Sequence, residues 1–118
     1  MLFSDVNVKS TFEDGVLTEF ISGDIDHHNA KAARRRIDRE AESYRPRCLI
    51  LDLSGVNFMD SSGLGLIMGR YALMQRRGGE FLVRSPNERV LEIFRLAGLE
   101  RMVRIEYENV SERKEGVK

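Results

Sequence analysis

The hydroxyl and carboxyl side chains of Asp60-Ser61-Ser62-Gly63 form the most informative polar stretch of the chain. It follows a short apolar run and precedes apolar residues at helical spacing, which predicts a junction between a buried strand and a helix. Such junctions lie at the carboxyl edge of an open α/β sheet, where ligands and partners dock. Backbone N–H groups at a helix start favour negative charge, so the fold would tolerate a phosphate on a serine there.

The same stretch has a purely structural interpretation. Asp60, Ser61 or Ser62 would then serve as the N-cap of the helix, accepting hydrogen bonds from its first free amides. Caps of this kind occur in most helices, and spacing alone favours this interpretation over a modification site.

A nucleophilic serine is a third interpretation, since it also sits at a strand-turn-helix junction. Its usual pattern is G-x-S-x-G, with an acid and then a histidine later in the chain. Here His27 and His28 both precede the serines, and no glycine stands two residues before either serine. A small serine hydrolase is therefore disfavoured; this alternative predicts turnover of an ester by the isolated chain.

A second polar stretch, Asp24-Ile25-Asp26-His27-His28, resembles a metal-ligand cluster at first sight. Adjacent histidines on a helix point about 100° apart and cannot share an ion as an i, i+4 pair does. Helix capping by Asp26 with solvated histidines is favoured, so we expect no metal. If this loop lies at the same sheet edge as Ser61, both contribute to one binding face.

Composition limits the remaining classes of ligand. Nineteen Lys plus Arg balance nineteen Asp plus Glu, which removes the positive field of a non-specific nucleic-acid binder. The Arg34-Arg35-Arg36 run has acidic neighbours and is expected to be a solvated helix face. The balanced charge and this solvated face lead us to expect no nucleic-acid partner. No G-x-x-x-x-G-K-[ST] or G-x-G-x-x-G motif is present, so we expect no nucleotide cofactor.

The length of 118 residues fits about one domain. The single cysteine, Cys48, lies in an apolar run and is expected to be buried rather than to form a disulfide, which fits a reducing compartment. No run approaches the ~18 apolar residues that span a bilayer, and the start lacks a signal-peptide pattern. We therefore expect a cytoplasmic protein without membrane contact.

The elements that position these residues follow from periodicity. Alternation around the turn Glu13-Asp14-Gly15 predicts a β-hairpin, and Asn29 to Tyr44 has helical period. The inward positions expected for that helix are Ala30, Ala33, Ile37, Ala41 and Tyr44. Cys48–Leu53 is typical of a central strand covered on both faces, and Ser54 to Asn57 is expected to be a turn. A helix then begins near Ser61 or Ser62.

The second half of the chain continues the alternation of strands and helices. Phe81–Val83 predicts a strand, and Ser85-Pro86-Asn87-Glu88 predicts a helix with Ser85 as its N-cap. The inward positions expected for this helix are Val90, Leu91, Phe94 and Ala97, with Gly98 as its stop and Met102 to Tyr107 as the last strand. The order β-β-α-β-α-β-α-β predicts an α/β fold, a mixed, mostly parallel sheet flanked by helices. We expect one domain over 1–110 and a short polar tail over 111–118.

Residues 57–71 resemble, almost position for position, the phosphorylation-site segment of anti-sigma-factor antagonists, the bacterial STAS domains. Residues 23–28 are similar to the loop before the first helix of that family. Residues 96–99 and 102–105 are similar to its last helix and strand. The resemblance covers nearly the whole chain, and Asp26-His27-His28 together with the serine motif is most like the sporulation antagonists of the family.

This resemblance implies a switch protein rather than an enzyme. In the family, the antagonist binds an anti-sigma factor that is also an ATP-dependent serine kinase, and so releases a sigma factor. The kinase phosphorylates the first serine of the motif, here Ser61, and a serine phosphatase restores the active form. The residues implied to form the partner-binding face are Asp24, Asp26, His27, Asp60, Ser61, Ser62, Gly63 and Leu64. The alternative is a STAS interaction module in another signalling or stress-response complex.

Overall fold

Five strands, three α-helices and one 3-10 turn make up residues 6–108, the part of the chain that the computed structural model describes. The elements are β1 (Val6–Glu13), β2 (Val16–Ile25), α1 (Ala30–Tyr44), β3 (Cys48–Met59), α2 (Ser61–Arg76), β4 (Glu80–Arg84), α3 (Glu88–Leu96), the 3-10 turn Leu99–Arg101 and β5 (Arg104–Glu106). This order confirms the predicted α/β class. The predicted polar tail, 111–118, lies outside the described residues, as do residues 1–5 and 109–110 of the predicted domain.

The strands lie in the sheet in the order β1-β2-β3-β4-β5. β1 is antiparallel to β2, and the other neighbours are parallel, so the mixed, mostly parallel sheet is confirmed. Each of the three helices connects a strand to the next strand of the sheet, always in the same direction. Because such connections are right-handed, all three helices lie on one face of the sheet. α1 packs against α2, and residues of α2 and α3 line a common groove.

The core lies between that face of the sheet and the helices. Leu49, Leu51 and Leu53 of β3 alternate inward and are fully buried. The core also buries four of the five inward positions predicted for α1, namely Ala30, Ala33, Ile37 and Ala41. The fifth prediction was wrong: Tyr44 is 47% exposed and stacks on Phe12 at the hairpin end, with ring centroids 4.5 Å apart.

β3 is longer than predicted, because Ser54 to Asn57 is strand and not a turn. Its pairing with β4 ends at Asp52 and Arg84, and beyond that point β2 is its one neighbouring strand among residues 6–108. Polar residues are tolerated in this part because it is an edge. Here β2 and β3 approach so closely that a Cβ on Gly55 would lie 2.7 Å from the Cβ of Ser22. Because of this extension, the last residues of β3 lie beside the last residues of β2.

The start of α3 also differs from the prediction. Asn87, not Ser85, is the N-cap, and its Oδ1 accepts from the Val90 N–H at 2.8 Å. Its Nδ2 donates to the carbonyl of Val56 at 3.1 Å, which anchors the helix start to β3. Ser85 instead has a φ of 56° and donates its N–H to Glu106 at 2.7 Å.

The end of α3 brings two further corrections. Ala97 is exposed and not part of the buried stripe, because α3 ends at Leu96 and Gly98 turns the chain with a φ of 73°. The last strand covers only Arg104–Glu106, because a 3-10 turn precedes it and leaves Met102 47% exposed. That turn places Leu99, which the sequence analysis did not assign to the core, fully inside it.

Candidate functional site

The two polar stretches meet at the sheet edge where β2 and β3 end. Ile25 pairs with Met59, and Asp24 pairs with Phe58. The Asp60 N–H donates to the carbonyl of Ile25 at 3.1 Å. One backbone hydrogen bond therefore joins the loop that begins with Asp26 to the segment that leads into α2.

Asp60 is the N-cap of α2. Its Oδ1 accepts from the Ser62 N–H at 2.8 Å. The prediction of Asp60 as N-cap is therefore confirmed, and the alternatives Ser61 and Ser62 are wrong. Its Oδ2 lies 3.8 Å from Nδ1 of His27. Ser61, the first helical residue, is exposed, and no hydrogen bond of its hydroxyl occurs among residues 6–108.

Gly63 shapes the site from beneath. It is buried, and its N–H donates to the Asp60 carbonyl at 2.9 Å. A Cβ on this residue would lie 2.7 Å from Cβ and 2.8 Å from Sδ of Met59. The absence of a side chain thus lets the first turn of α2 sit directly on the end of β3.

The loop before α1 is held by reciprocal hydrogen bonds. Oδ1 of Asp26 accepts from the N–H groups of His28 at 2.9 Å and Asn29 at 3.1 Å. Asn29 accepts at Oδ1 from the Asp26 N–H at 3.0 Å and donates from Nδ2 to the carbonyl of half-buried Asp24 at 2.9 Å. Asp26 therefore caps the turn that precedes α1, while Asn29 is the N-cap of the helix itself.

The imidazoles of His27 and His28 are exposed and lie side by side, with centroids 4.0 Å apart. Within residues 6–108, no group of three or more His, Cys, Asp or Glu side chains is placed to hold a metal ion. In the same range no helix has both the length and the apolar character needed to cross a membrane.

An open groove of about 400 Å³ separates the start of α2 from α3. We call it the apolar groove; its lining residues are Met59, Asp60, Ser61, Leu64, Ile93, Leu96 and Ala97. Leu96 is 84% exposed on its rim. Leu64 was predicted from the sequence as part of the site, but the α3 residues of this groove were not. Their one signal in the sequence is Leu96, an apolar residue outside the buried stripe of α3.

A second open groove, of about 500 Å³, separates α1 from α2. We call it the basic groove; its lining residues are His27, Ala30, Lys31, Arg34, Ser62, Gly65 and Leu66. Arg34 is exposed, as predicted for a solvated helix face. It nevertheless borders this groove beside the serine motif, a placement that depends on how α1 packs on α2.

A buried acid lies beneath α1, away from the serine motif. Glu19 of β2 is fully buried, and its Oε1 lies 2.5 Å from Oγ of Ser10. The same hydroxyl lies 2.5 Å from Oε1 of Glu40 on α1. A hydroxyl has one proton to donate, so the second contact requires a proton on a carboxyl.

The electrostatics place that proton on Glu19. Burial, reinforced by Glu40, raises the pKa of Glu19 to about 8. The pKa of Glu40 is lowered despite its own burial, because Glu19, Ser10 and Arg36 stabilise its anionic form. Arg36 reaches Glu40 from the same helix, with Nε 3.3 Å from Oε2. A neutral glutamic acid therefore joins α1 to the sheet.

Comparison with known proteins agrees with this architecture. The STAS domain family profile matches residues 7–112. The anti-sigma F factor antagonist of Paenibacillus polymyxa is 34% identical over 105 residues, 89% of each chain. The anti-sigma-B factor antagonist of Bacillus subtilis is 28% identical over 101 residues, 86% of this chain and 91% of the relative. The solved structure of unphosphorylated SpoIIAA, an anti-sigma factor antagonist, has the same fold, with a TM-score of 0.76 at 22% identity over 94% of this chain and 96% of that one.

Proposed function

The chain belongs to the STAS domain family of anti-sigma factor antagonists, which are binding regulators and not enzymes, and we propose that its unphosphorylated form binds an anti-sigma factor with serine kinase activity. Binding releases a sigma factor for transcription. Phosphorylation of Ser61 by the bound kinase ends the interaction, and a serine phosphatase restores it. The proposed binding face comprises Asp24, Asp26, His27, Asp60, Ser61, Ser62, Gly63 and Leu64.

The observation that carries this proposal is the position of Ser61. Its side chain is exposed on the wall of the apolar groove, and the first turn of α2 is stabilised by other residues. Asp60 caps the helix, and Gly63 permits its close packing. A partner that covers the groove would cover the Ser61 hydroxyl, and a change at that hydroxyl would leave the fold intact.

Phosphorylation would act through charge. A phosphoserine adds roughly 1.5 to 2 negative charges, and the α2 N-terminus tolerates them because its free amides favour anions. Within an interface the same charge would stand beside the Asp60 carboxylate and the apolar groove, where repulsion and desolvation oppose binding. A penalty of about 3 kcal/mol weakens binding roughly 150-fold.

We propose sporulation as the process controlled. The Asp26-His27-His28 loop supports this assignment, as does the 34% identity to the anti-sigma F factor antagonist of Paenibacillus polymyxa. The similarity to the anti-sigma-B factor antagonist of Bacillus subtilis supports the alternative, a STAS module in another signalling or stress-response complex. The compartment we propose is the cytoplasm, because the regulated step is transcription.

Phosphoryl transfer is the direct test. The purified chain is mixed with ATP and each serine-kinase anti-sigma factor encoded in the same genome, and its peptides are analysed by mass spectrometry. We expect one phosphoryl group on Ser61, lost in Ser61→Ala and retained in Ser62→Ala. If a kinase that is active and binds the chain transfers no phosphate, Ser61 is not the switch.

Binding affinities test whether phosphorylation of Ser61 ends the interaction with the kinase. Calorimetry of the kinase with the phosphorylated and unphosphorylated chains should show the unphosphorylated form binding roughly 150-fold more tightly. Equal affinities would overturn the switch even if Ser61 were modified.

A further inference from the structure

We propose that the basic groove receives an acidic segment of the same protein partner that covers Ser61. This inference rests on the proposed function and adds to it a second contact surface, on the other side of the serine motif. It assigns a role to the cations of α1, which the serine switch does not use.

The cations of the basic groove lie on one side of α1. Lys31 and Arg34 stand at positions i and i+3 of α1, which brings their side chains onto one helix face, and both line the groove together with His27. Lys31 and Arg34 are exposed, and neither forms an ion pair among residues 6–108.

Two ion pairs join α1 and α2 elsewhere along their contact. Further along, Arg70 Nε of α2 lies 2.9 Å from Oδ1 of Asp38. Beyond that pair, Arg77 donates to Glu42 at 2.6 Å. The two ion pairs thus lie away from Ser62, whereas beside Ser62 the exposed Lys31 and Arg34 form no ion pair with any residue in the range 6–108.

The opposite wall of the groove leaves space for an incoming segment. Ser62 and Gly65 of α2 face the α1 cations across it. A Cβ on Gly65 would meet no atom within 4 Å. Because Ser62 and Gly65 are small, the backbone of a partner can approach α2 while the partner's carboxylates contact Lys31 and Arg34.

Charge favours a protein segment over a nucleic acid. The chain has a formal net charge of zero, and acids adjoin the groove: Asp60 lies 3.8 Å from His27, and Asp26 lies 3.8 Å from His28. A uniformly anionic backbone running across the edge would meet these acids as well as the cations. A protein can present carboxylates to Lys31 and Arg34 and a cation to Asp60, and such a pattern fixes the orientation of the complex.

Charge reversal on α1 tests the inference. Arg34→Glu is compared with Arg39→Glu, which makes the same change in charge on the same helix. Arg39 is exposed, has no ion pair among residues 6–108 and lies about 140° around the helix from Arg34. We expect Arg34→Glu to raise the Kd for the anti-sigma factor at least tenfold more than Arg39→Glu at low salt, with the difference shrinking as salt rises.

Zero-length cross-linking identifies the acids. A carbodiimide joins a lysine amine to a carboxylate in contact with it, so the complex should yield a bond between Lys31 and an Asp or Glu of the partner. Lys9, which is exposed on β1, is the matched control within the described residues.

The outcomes separate this inference from the proposed function. If no kinase anti-sigma factor binds the wild-type chain, both fail. If the wild type binds and is phosphorylated on Ser61, but Arg34→Glu and Arg39→Glu bind alike, the proposed function stands and the acidic-segment inference is overturned. A larger effect of Arg34→Glu together with the Lys31 cross-link supports both.

Discussion

Ser61 and Ser62 are adjacent in the chain but border different grooves. Ser61 lines the apolar groove between α2 and α3, and Ser62 lines the basic groove between α1 and α2. Their difference follows from the first turn of α2, where consecutive side chains point about 100° apart. A phosphate on Ser61 would meet Asp60 and apolar side chains, whereas one on Ser62 would face Lys31 and Arg34. The two hydroxyls are therefore not equivalent as switches.

An acidic substitution at Ser61 should reproduce part of the switch. Ser61→Asp carries less charge and fewer oxygens than a phosphoserine, so we expect weaker binding to the kinase than for Ser61→Ala but tighter than for the phosphorylated chain. Calorimetry measures the three affinities. Both variants should unfold within about 0.5 kcal/mol of the wild type, because the residue is exposed. Unfolding of both would instead show that Ser61 has a structural role.

Removal of the Asp60 side chain should destabilise the fold. Asp60→Ala leaves the Ser62 N–H without its acceptor, and loss of such an N-cap costs about 1 kcal/mol. Urea unfolding monitored by circular dichroism measures the change. Ser61→Ala is the matched control and should leave the midpoint nearly unchanged; equal effects of the two substitutions would contradict the assignment of the cap.

Two glycines of α2 should respond to alanine in opposite directions. Gly63→Ala puts a methyl group 2.7 Å from Cβ of Met59 and should destabilise the fold by about 1–3 kcal/mol. Gly65→Ala enters open space in a helix and should stabilise it by roughly 0.5–1 kcal/mol. Thermal and urea unfolding compare the pair. Similar shifts for both would contradict the close approach of α2 to β3.

Stability should fall as the pH rises through the range in which Glu19 titrates. Its folded-state pKa of about 8 lies above the ordinary value of 4.5, so between these two values the folded protein binds the proton more tightly than the unfolded chain does. The free energy of unfolding therefore decreases from about pH 4.5 to pH 8. The buried anion formed at higher pH would also face Glu40 beneath α1.

Glu19→Gln isolates this effect, because it keeps the size of the side chain and has no proton to lose. Urea unfolding of both proteins at pH 5.5, 7 and 8.5 should show the stability difference moving in favour of the glutamine variant as the pH rises. A constant difference between the two proteins would mean that Glu19 does not titrate in this range.

Local patterns predict the elements and the serine motif well. The alternation of apolar and polar residues on either side of Asp14 and Gly15 predicted the hairpin. The helical spacing of small and apolar residues predicted the four buried positions of α1. The position of the motif at a strand-to-helix junction also followed from local sequence, because a short apolar run and a helical repeat flank it.

Non-local contacts account for what sequence reasoning missed. Ser54 to Asn57 is strand because β2 lies beside it, and Asn87 caps α3 while its amide is bonded to Val56. Ser85 and Asn87 both suit an N-cap by type, so only the carbonyl of a distant strand distinguishes them. The basic and apolar grooves likewise depend on how helices far apart in the chain pack.

The order of the strands also bears on how the protein is made. Since β1 to β5 lie side by side in the order in which they are synthesised, each strand leaving the ribosome finds its neighbour already present. Parallel neighbours such as Val16 and Cys48 are nevertheless separated by a whole crossover helix, so each parallel pairing waits until the intervening helix has been synthesised. The edge at Ile25 and Met59 can form once β3 emerges, and the basic groove is complete with α2. The apolar groove needs α3 and is finished later, so a nascent chain presents its cationic surface before its apolar one.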